Sequence, residues 1–169
     1  MKQYILLSAC ILAFFNCDVV NNGAIELKGD VIYQNSFEKE SDLSDWDGFN
    51  RVELRDDSPR SGGKKSVFIS GGCVFPHAQY TFYAEKTGLI QLSVLAKDLS
   101  IGGSISLTKD EYKNGLHIIV KNKNWEELTS EEPLFVTKGE KITLNMSSGG
   151  FVSSSMLVSK VELSFVSTQ

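Results

Sequence analysis

Asn35-Ser-Phe-Glu38 opens the stretch of sequence that determines the fold of this chain. Trp46 follows it, and the stretch ends with Ser61-Gly-Gly-Lys-Lys-Ser-Val-Phe-Ile-Ser-Gly-Gly72. Residues 31–37 are predicted to form a first strand, and Arg51-Val-Glu-Leu-Arg55 alternates charged and apolar side chains as a second strand would. The Ser-Gly-Gly sequence at 61–63 favours a tight turn, because glycine adopts positive φ angles without steric cost. This turn leads into a third predicted strand over residues 66–70.

The remaining residues continue the pattern of short strands separated by glycine-rich or charged turns. Such spacing is typical of an antiparallel β-sandwich, whereas helical periodicity is almost absent. We therefore predict an all-β fold built from two antiparallel sheets. The further predicted strands cover residues 78–84, 89–96, 102–107, 117–121, 125–128, 134–136, 142–146 and 156–166.

The last predicted strand has an apolar side and a polar side. Successive side chains of a strand point to opposite faces of its sheet, so residues two apart share a face. We expect this strand to close the core of the sandwich. Its apolar side is predicted to contain Leu157, Val161, Leu163 and Phe165, and its polar side Lys160, Glu162 and Ser164.

The order of these motifs resembles that of carbohydrate-binding modules with the galactose-binding-like jelly-roll fold. The resemblance rests on Phe37-Glu38, on Trp46 and on the Ser-Gly-Gly-Lys turn that ends at Lys64. It continues through residues 92–97, Trp125, 138–144 and 161–163, and so covers residues 31–166. It implies a jelly-roll β-sandwich and a role in binding glycans.

The length and charge of the chain limit the possible functions. Its 169 residues suffice for a single well-packed domain, which we place at residues 31–169. The formal net charge of -4 disfavours a nucleic-acid partner, because a phosphate backbone attracts a basic surface. The longest run of basic residues is Lys64-Lys65.

Residues 1–16 are predicted to form an export signal. Lys2 precedes an apolar region from Tyr4 to Phe15, which is too short to span a bilayer and typical of a signal peptide. The signal resembles that of bacterial lipoproteins and implies that Cys17 is lipidated, with residues 17–30 as lipidated cysteine and tether. Cys10 has a shorter apolar region before it. An uncleaved signal, or one cleaved in the ordinary way, is the alternative.

The cysteines fit this interpretation. Cys10 lies within the signal and Cys73 stands alone in the predicted domain, so Cys17 has no structural need for a partner. A disulfide between Cys17 and Cys73 is the alternative, because exported proteins enter an oxidising compartment.

The sequence contains no pattern that indicates an enzyme. His77 and His117 are the histidines, and neither lies in a motif that pairs a nucleophile with a base. The acidic pairs Asp56-Asp57 and Glu126-Glu127 are predicted to lie in solvent-exposed turns. We therefore predict a non-catalytic protein.

Aromatic residues are the candidate contacts for a glycan, because sugar rings stack on aromatic planes while their hydroxyls seek polar groups. Trp46 is predicted to be buried. Trp125, with charged and polar neighbours, is the first candidate for an exposed platform. The other candidate carbohydrate-binding residues are Tyr83, His77 and Tyr112.

The resemblance also implies a possible structural calcium ion, held by Glu38 and by backbone carbonyls of Gly63 and Lys64. The resembled modules place an Asp in the last strand, where this chain has Ser159-Lys160 before Val161. An ammonium group there opposes a divalent cation, which requires several hard oxygens. We therefore expect a fold without a metal or other cofactor.

Two classes of function remain open on the sequence alone. The first is a lipid-anchored glycan-binding module on the bacterial outer membrane or cell surface. The second is an envelope protein that uses the same sandwich to bind a protein partner and has no sugar site. Convergence of Trp125, Tyr83 or His77 on one exposed face with polar partners would favour the first class, and their dispersal into the core would favour the second.

Overall fold

The computed structural model describes residues 29–48, 51–72, 77–109, 114–149 and 153–166. These residues form an all-β structure with one short 3₁₀ helix at Glu40–Leu43, and this part of the chain contains no helix with the length and apolar character needed to traverse a bilayer. The strands are β1 (Asp30–Asn35), β2 (Trp46–Asp47), β3 (Val52–Arg55), β4 (Ser66–Ser70), β5 (His77–Tyr83), β6 (Gly88–Asp98), β7 (Gly103–Lys109), β8 (Asn114–Val120), β9 (Glu126–Thr129), β10 (Leu134–Val136), β11 (Lys141–Ser148) and β12 (Ser155–Val166).

The strands form two antiparallel sheets that pack as a jelly-roll sandwich, as the sequence predicts. The seven-stranded sheet has the order β10-β6-β12-β4-β3, with β1 paired to β12 and β9 paired to β6. The five-stranded sheet has the order β2-β5-β11-β7-β8. Neighbours in these sheets are mostly distant in sequence, so the fold depends on pairings between remote segments.

The hydrophobic core lies between the two sheets. Period-two alternation places one side of each strand in this layer, and burying one Leu or Ile side chain contributes about 1.5–3 kcal/mol. The seven-stranded sheet contributes Ile90, Leu92, Val94, Ala96, Met156, Val158, Val161, Leu163 and Phe165, and the five-stranded sheet contributes Ile105, Leu107, Ile142, Leu144 and Met146.

A β-bulge at Ser159 corrects the prediction for the last strand. Val158 pairs with Ala96 and Lys160 with Leu95, so Ser159 is an extra residue in β12. An extra residue reverses which side chains face the core. Leu157, paired with Lys97 and outside the core cluster, therefore lies on the face opposite Val161, and its predicted position was wrong.

Five aromatic side chains join the two sheets beside β1. Trp46 is 3% exposed, which confirms the prediction that it is buried. Its Nε1 donates a hydrogen bond to the Tyr33 hydroxyl at 3.0 Å, and its ring packs edge-on against Phe37. Tyr33 stacks on Tyr80 with ring centroids 4.3 Å apart, and Tyr80 stacks in turn on Phe82. Burial raises the pKa of the Tyr33 phenol, because removal from water disfavours the charged form.

Phe37 enters this cluster through an unusual backbone conformation. Its φ angle is 50°, a left-handed value that is costly for a bulky residue. The Phe37 backbone N–H donates to the Asn35 side-chain oxygen at 2.9 Å, and the Asn35 amide nitrogen donates to the Asp42 carbonyl at 2.7 Å. These bonds and the complete burial of the ring hold the turn in place.

We expect Trp46→Ala to destabilise the protein much more than Trp125→Ala. Truncating a buried Trp removes about 3–5 kcal/mol from the free energy of unfolding. Trp125 is half-buried and lies outside the core cluster, so its truncation should cost less than half as much. Chemical denaturation of both variants measures the difference, and equal losses would contradict the division between core and surface.

Candidate functional site

The outer face of the five-stranded sheet has a continuous row of polar side chains. Asp47 pairs with Gln79, Gln79 with Asn145, Asn145 with Ser106, and Ser106 with His117. Each of these residues alternates with a core residue on its strand, so its side chain points away from the core. The row crosses all five strands and brings one carboxylate, two amides, one hydroxyl and one imidazole onto a single surface.

Further hydroxyl groups flank this row on both sides. The Ser104 and Ser147 hydroxyl oxygens are 3.2 Å apart, and those of Thr81 and Thr143 are 3.4 Å apart. Thr108 donates to the Thr143 carbonyl at 3.5 Å. The face is therefore rich in groups that both donate and accept hydrogen bonds.

The middle of this face is shielded from solvent, whereas its edge strands are open. Ser106 and Thr108 point away from the core and yet are only 4% and 3% exposed. Asp47 on one edge strand and His117 on the other are exposed. We call this face, with its shielded centre and open margins, the trough.

Asn145 lies at the centre of the trough. Its side-chain oxygen Oδ1 is shielded from solvent and has no hydrogen-bond partner in the part of the chain that the structure describes. A buried acceptor without a donor costs about 1–3 kcal/mol. A hydroxyl group that reached the floor between Gln79 and Ser106 would satisfy this acceptor.

The structure places two of the four predicted binding residues on this face. Tyr83 and His77 lie at opposite ends of β5 with their side chains outward, and Tyr83 is 66% exposed. Gly48, with a φ angle of 79°, lies against the His77 ring, where a side chain would collide with it. Both aromatic rings border the trough.

The other two predicted residues do not join them. Trp125 lies on the outer side of the seven-stranded sheet, where the Lys97 ammonium is 5.0 Å from the centroid of its indole ring. Trp125 and the pair Tyr83 and His77 are therefore on opposite faces of the sandwich. Tyr112 lies outside the described residues, as do Cys17 and Cys73.

Sequence reasoning missed the polar residues of the trough. Gln79, Ser106 and Asn145 occur at the alternate positions of strands that the sequence predicts, so their outward orientation could have been inferred from the period of two. Their alignment into one row could not, because it depends on the order β2-β5-β11-β7-β8.

The segments that the resemblance assigns to calcium meet in the structure. A side chain at Gly63 would collide with the Ser36 carbonyl, and one at Gly62 would collide with Ser159. The Ser58 and Ser159 hydroxyls hydrogen bond to each other at 2.5 Å.

The donor groups at this junction do not fit a calcium ion. Lys160 forms an ion pair with Glu162 at 2.8 Å, and the Glu38 side chain is exposed. Within the described ranges no three His, Cys, Asp or Glu side chains are grouped closely enough to hold a metal ion. Calcium requires six to eight oxygen ligands, commonly including several carboxylates.

The fold is similar to that of solved carbohydrate-binding modules. The xylan-binding CBM22-1 domain of Xyn10C from Paenibacillus barcinonensis aligns with a TM-score of 0.58 and 14% identity, over 83% of this chain and 97% of that domain. A family 35 carbohydrate-binding module from Clostridium thermocellum aligns with a TM-score of 0.55 and 14% identity, over 79% and 98%. The module CBM6cm-2 of Cellvibrio mixtus lichenase 5A, solved with cellotriose, aligns with a TM-score of 0.53 and 11% identity, over 82% and 99%.

These similarities establish the architecture of the chain. In sequence comparisons, no protein-family model and no curated protein matches it. The chain therefore shares the galactose-binding-like jelly roll with carbohydrate-binding modules, and its own side chains must indicate what it binds.

We expect a calcium chelator to have little effect on stability. An ion that binds only the folded state raises the melting temperature, and its removal lowers it. Because the donor groups do not fit calcium, adding EGTA should shift the melting temperature by less than about 2 °C. Differential scanning calorimetry with added calcium, with added EGTA and with neither tests this, and a large drop with EGTA alone would overturn the expectation of a metal-free fold.

Proposed function

We propose that this protein is a non-catalytic glycan-binding module whose ligand lies in the trough of the five-stranded sheet. The observation that carries the proposal is the row of Asp47, Gln79, Asn145, Ser106 and His117 across all five strands. Its amide and hydroxyl groups are the donors and acceptors that sugar hydroxyls require.

The border of the trough supplies the apolar part of sugar recognition. A sugar ring presents C–H groups on its faces, and these pack against aromatic planes. Tyr83 and His77 lie on this surface at the two ends of β5, while the hydroxyl-rich floor lies beside them on β11 and β7. The ligand would be an uncharged glycan, held mainly by hydrogen bonds from the floor and packed against the rings at the border.

The comparisons with solved structures support this proposal. The aligned module of lichenase 5A was solved with cellotriose, and the aligned domain of Xyn10C is described as xylan-binding. We infer from this shared architecture that glycans are the first class of ligand to test. The choice of the trough rests on the side chains of this chain.

We further propose that the protein is anchored to the bacterial envelope through a lipid on Cys17. The tether between Cys17 and the start of β1 at Asp30 is long enough to extend roughly 40 Å. The domain would then stand clear of the lipid surface on the outer membrane or cell surface. This position suits a protein that collects glycans or holds them at the cell.

A glycan array that includes xylan fragments and cello-oligosaccharides tests the ligand class. We expect the full chain to bind one group of neutral glycans, and Asn145→Ala to weaken that binding about tenfold, the effect of losing one well-placed buried hydrogen bond. Gln91→Ala is the matched control, because Gln91 is an amide on the outer side of the other sheet and donates to the Ser130 carbonyl at 3.2 Å.

Two results would contradict the trough as the binding site. One is equal loss of affinity in the Asn145 and Gln91 variants, and the other is unchanged affinity in the Asn145 variant. If a folded protein bound no glycan on the array, the alternative of an envelope protein that binds a protein partner would be favoured.

Replacement of Cys17 tests the proposed anchor. Cys17→Ser removes the thiol that a lipid would modify and leaves the described domain unchanged, so the variant should leave the membrane fraction and retain the parent melting temperature. Cys10→Ser is the control and should remain in the membrane fraction. A Cys17→Ser protein that still sediments with membranes after a high-salt wash would show that the lipid-anchor hypothesis is wrong.

A further inference from the structure

A charged groove lies on the outer side of the seven-stranded sheet, at its β3 edge. It has a volume of about 310 Å³ and is lined by Arg51, Val52, Glu53, Arg55, Phe68 and Ser70. Val52 and Leu54 pack toward the core, so Glu53 and Arg55 point outward from β3. Glu53 is in register with Phe68 on β4, which places the phenyl ring beside the two charged side chains.

Arg55 is held over an aromatic ring. Its guanidinium carbon is 3.2 Å from the centroid of the Phe68 ring. Nε of Arg55 donates to Glu53 Oε1 at 2.7 Å, and Nη2 forms an ion pair with the same oxygen at 2.6 Å, while the Arg55 side chain remains 42% exposed. The Phe68 ring and Glu53 therefore hold the guanidinium in place, while part of the Arg55 side chain stays open to solvent.

Arg51 is held in place at the other end of the groove. Its φ angle is 58°, a left-handed value that is uncommon for a residue with a side chain. Its Nη1 donates to the Gly71 carbonyl at 3.1 Å. Gly72 leaves the space for the guanidinium, because a Cβ at that position would lie 2.8 Å from the guanidinium carbon. Among the described residues, this one hydrogen bond leaves most of the N–H groups of Arg51 for another acceptor.

All arginines of the sequence lie within residues 51–60. Arg51, Arg55 and Arg60 are the arginines of the chain, and the other basic residues that contribute to the total of 17 are lysines. A guanidinium presents parallel N–H groups that match the two oxygens of a carboxylate or sulfate, which a lysine ammonium cannot do. Two of the three arginines line this groove.

We propose that the groove is a second binding site, for a saccharide unit that carries a carboxylate or sulfate group. The acidic group lies between Arg51 and Arg55, and the sugar ring packs on the exposed part of the Arg55 guanidinium, which lies over the Phe68 ring. Glu53 competes with the acidic group for Arg55, and its carboxylate also accepts hydrogen bonds from sugar hydroxyls. The proposal rests on the proposed function in that the ligand is a glycan, but it involves the opposite sheet.

The shape of the site favours a saccharide over an acidic peptide. A peptide strand would bind along the free edge of β3 through backbone hydrogen bonds. The groove instead opens on the face of the sheet between the side chains of β3 and β4, and its volume falls in the lower range for small-molecule sites. Binding of an acidic peptide is therefore the alternative that the test must distinguish.

Binding to four polymers tests the site: polygalacturonate, dextran sulfate, uncharged dextran and polyglutamate. We expect the protein made from the full chain to bind the first two, to bind dextran and polyglutamate weakly, and to release its ligand as salt is raised. The double variant Arg51→Met/Arg55→Met should lose at least about tenfold in affinity for polygalacturonate, because it lacks both charge-assisted hydrogen-bond donors. Arg60→Met is the matched control, since Arg60 does not line the groove.

Glu53→Gln provides an independent test in the opposite direction. Removing an exposed competing carboxylate should raise the affinity for polygalacturonate about two- to fivefold. If the ion pair had a purely structural role, the affinity would not rise. The proposal is overturned if the folded double variant binds like the parent, if Arg60→Met weakens binding equally, or if polyglutamate binds as tightly as polygalacturonate. Asn145→Ala should leave polygalacturonate binding unchanged, so failure at either site can be recognised separately.

Discussion

The pairing of β12 with three other strands determines the arrangement of the seven-stranded sheet. β12 pairs with β6 along one side, and along the other it pairs with β4 through residues 155–158 and with β1 through residues 161–165. The bulge at Ser159 separates these two segments, so each partner strand meets β12 on its own side of the irregularity. The same bulge turns Leu157 outward into register with Phe68 on β4. The surface around the arginine groove therefore depends on one inserted residue in the middle of the longest strand.

The two sheets present chemically different outer faces. The centre of the five-stranded sheet carries neutral amide and hydroxyl groups that lie in register and are shielded from solvent, and Asp47 and His117 lie on its edge strands. On the seven-stranded sheet, cations lie over aromatic rings, as Arg55 does over Phe68 and Lys97 over Trp125. Ion pairs such as Lys97 with Asp57 and Lys160 with Glu162 occupy the spaces between them. A neutral glycan is better suited to the first face, whose amides and hydroxyls can exchange hydrogen bonds with sugar hydroxyls. An acidic glycan is better suited to the second, where fixed guanidinium groups compensate its charge.

Much of the fold could be predicted from local patterns in the sequence. Period-two alternation located the strands, and the burial of Trp46 followed from its large apolar area. The bulge could not be predicted, because Met156, Leu157 and Val158 are all apolar and the pattern fits either phase. The positions of Trp125 and of the polar row depend on which strands become neighbours, and neighbours such as β5 and β11 are far apart in sequence. The charged neighbours of Trp125 indicated a surface position, but its place on the outer side of the seven-stranded sheet follows from the pairing of β9 with β6.

The place where the tether joins the domain is compatible with both proposed sites. β1 begins at Asp30, which is in register with Phe165 near the end of β12 and forms an ion pair with Lys86 in the loop before β6. β1 therefore begins at the ends of the strands and not in the middle of either outer face. Lipidation at Cys17 would hold the domain by this end and leave the outer faces of both sheets directed sideways. A long glycan chain could then contact either face without approaching the membrane, and the two faces could hold two chains at once.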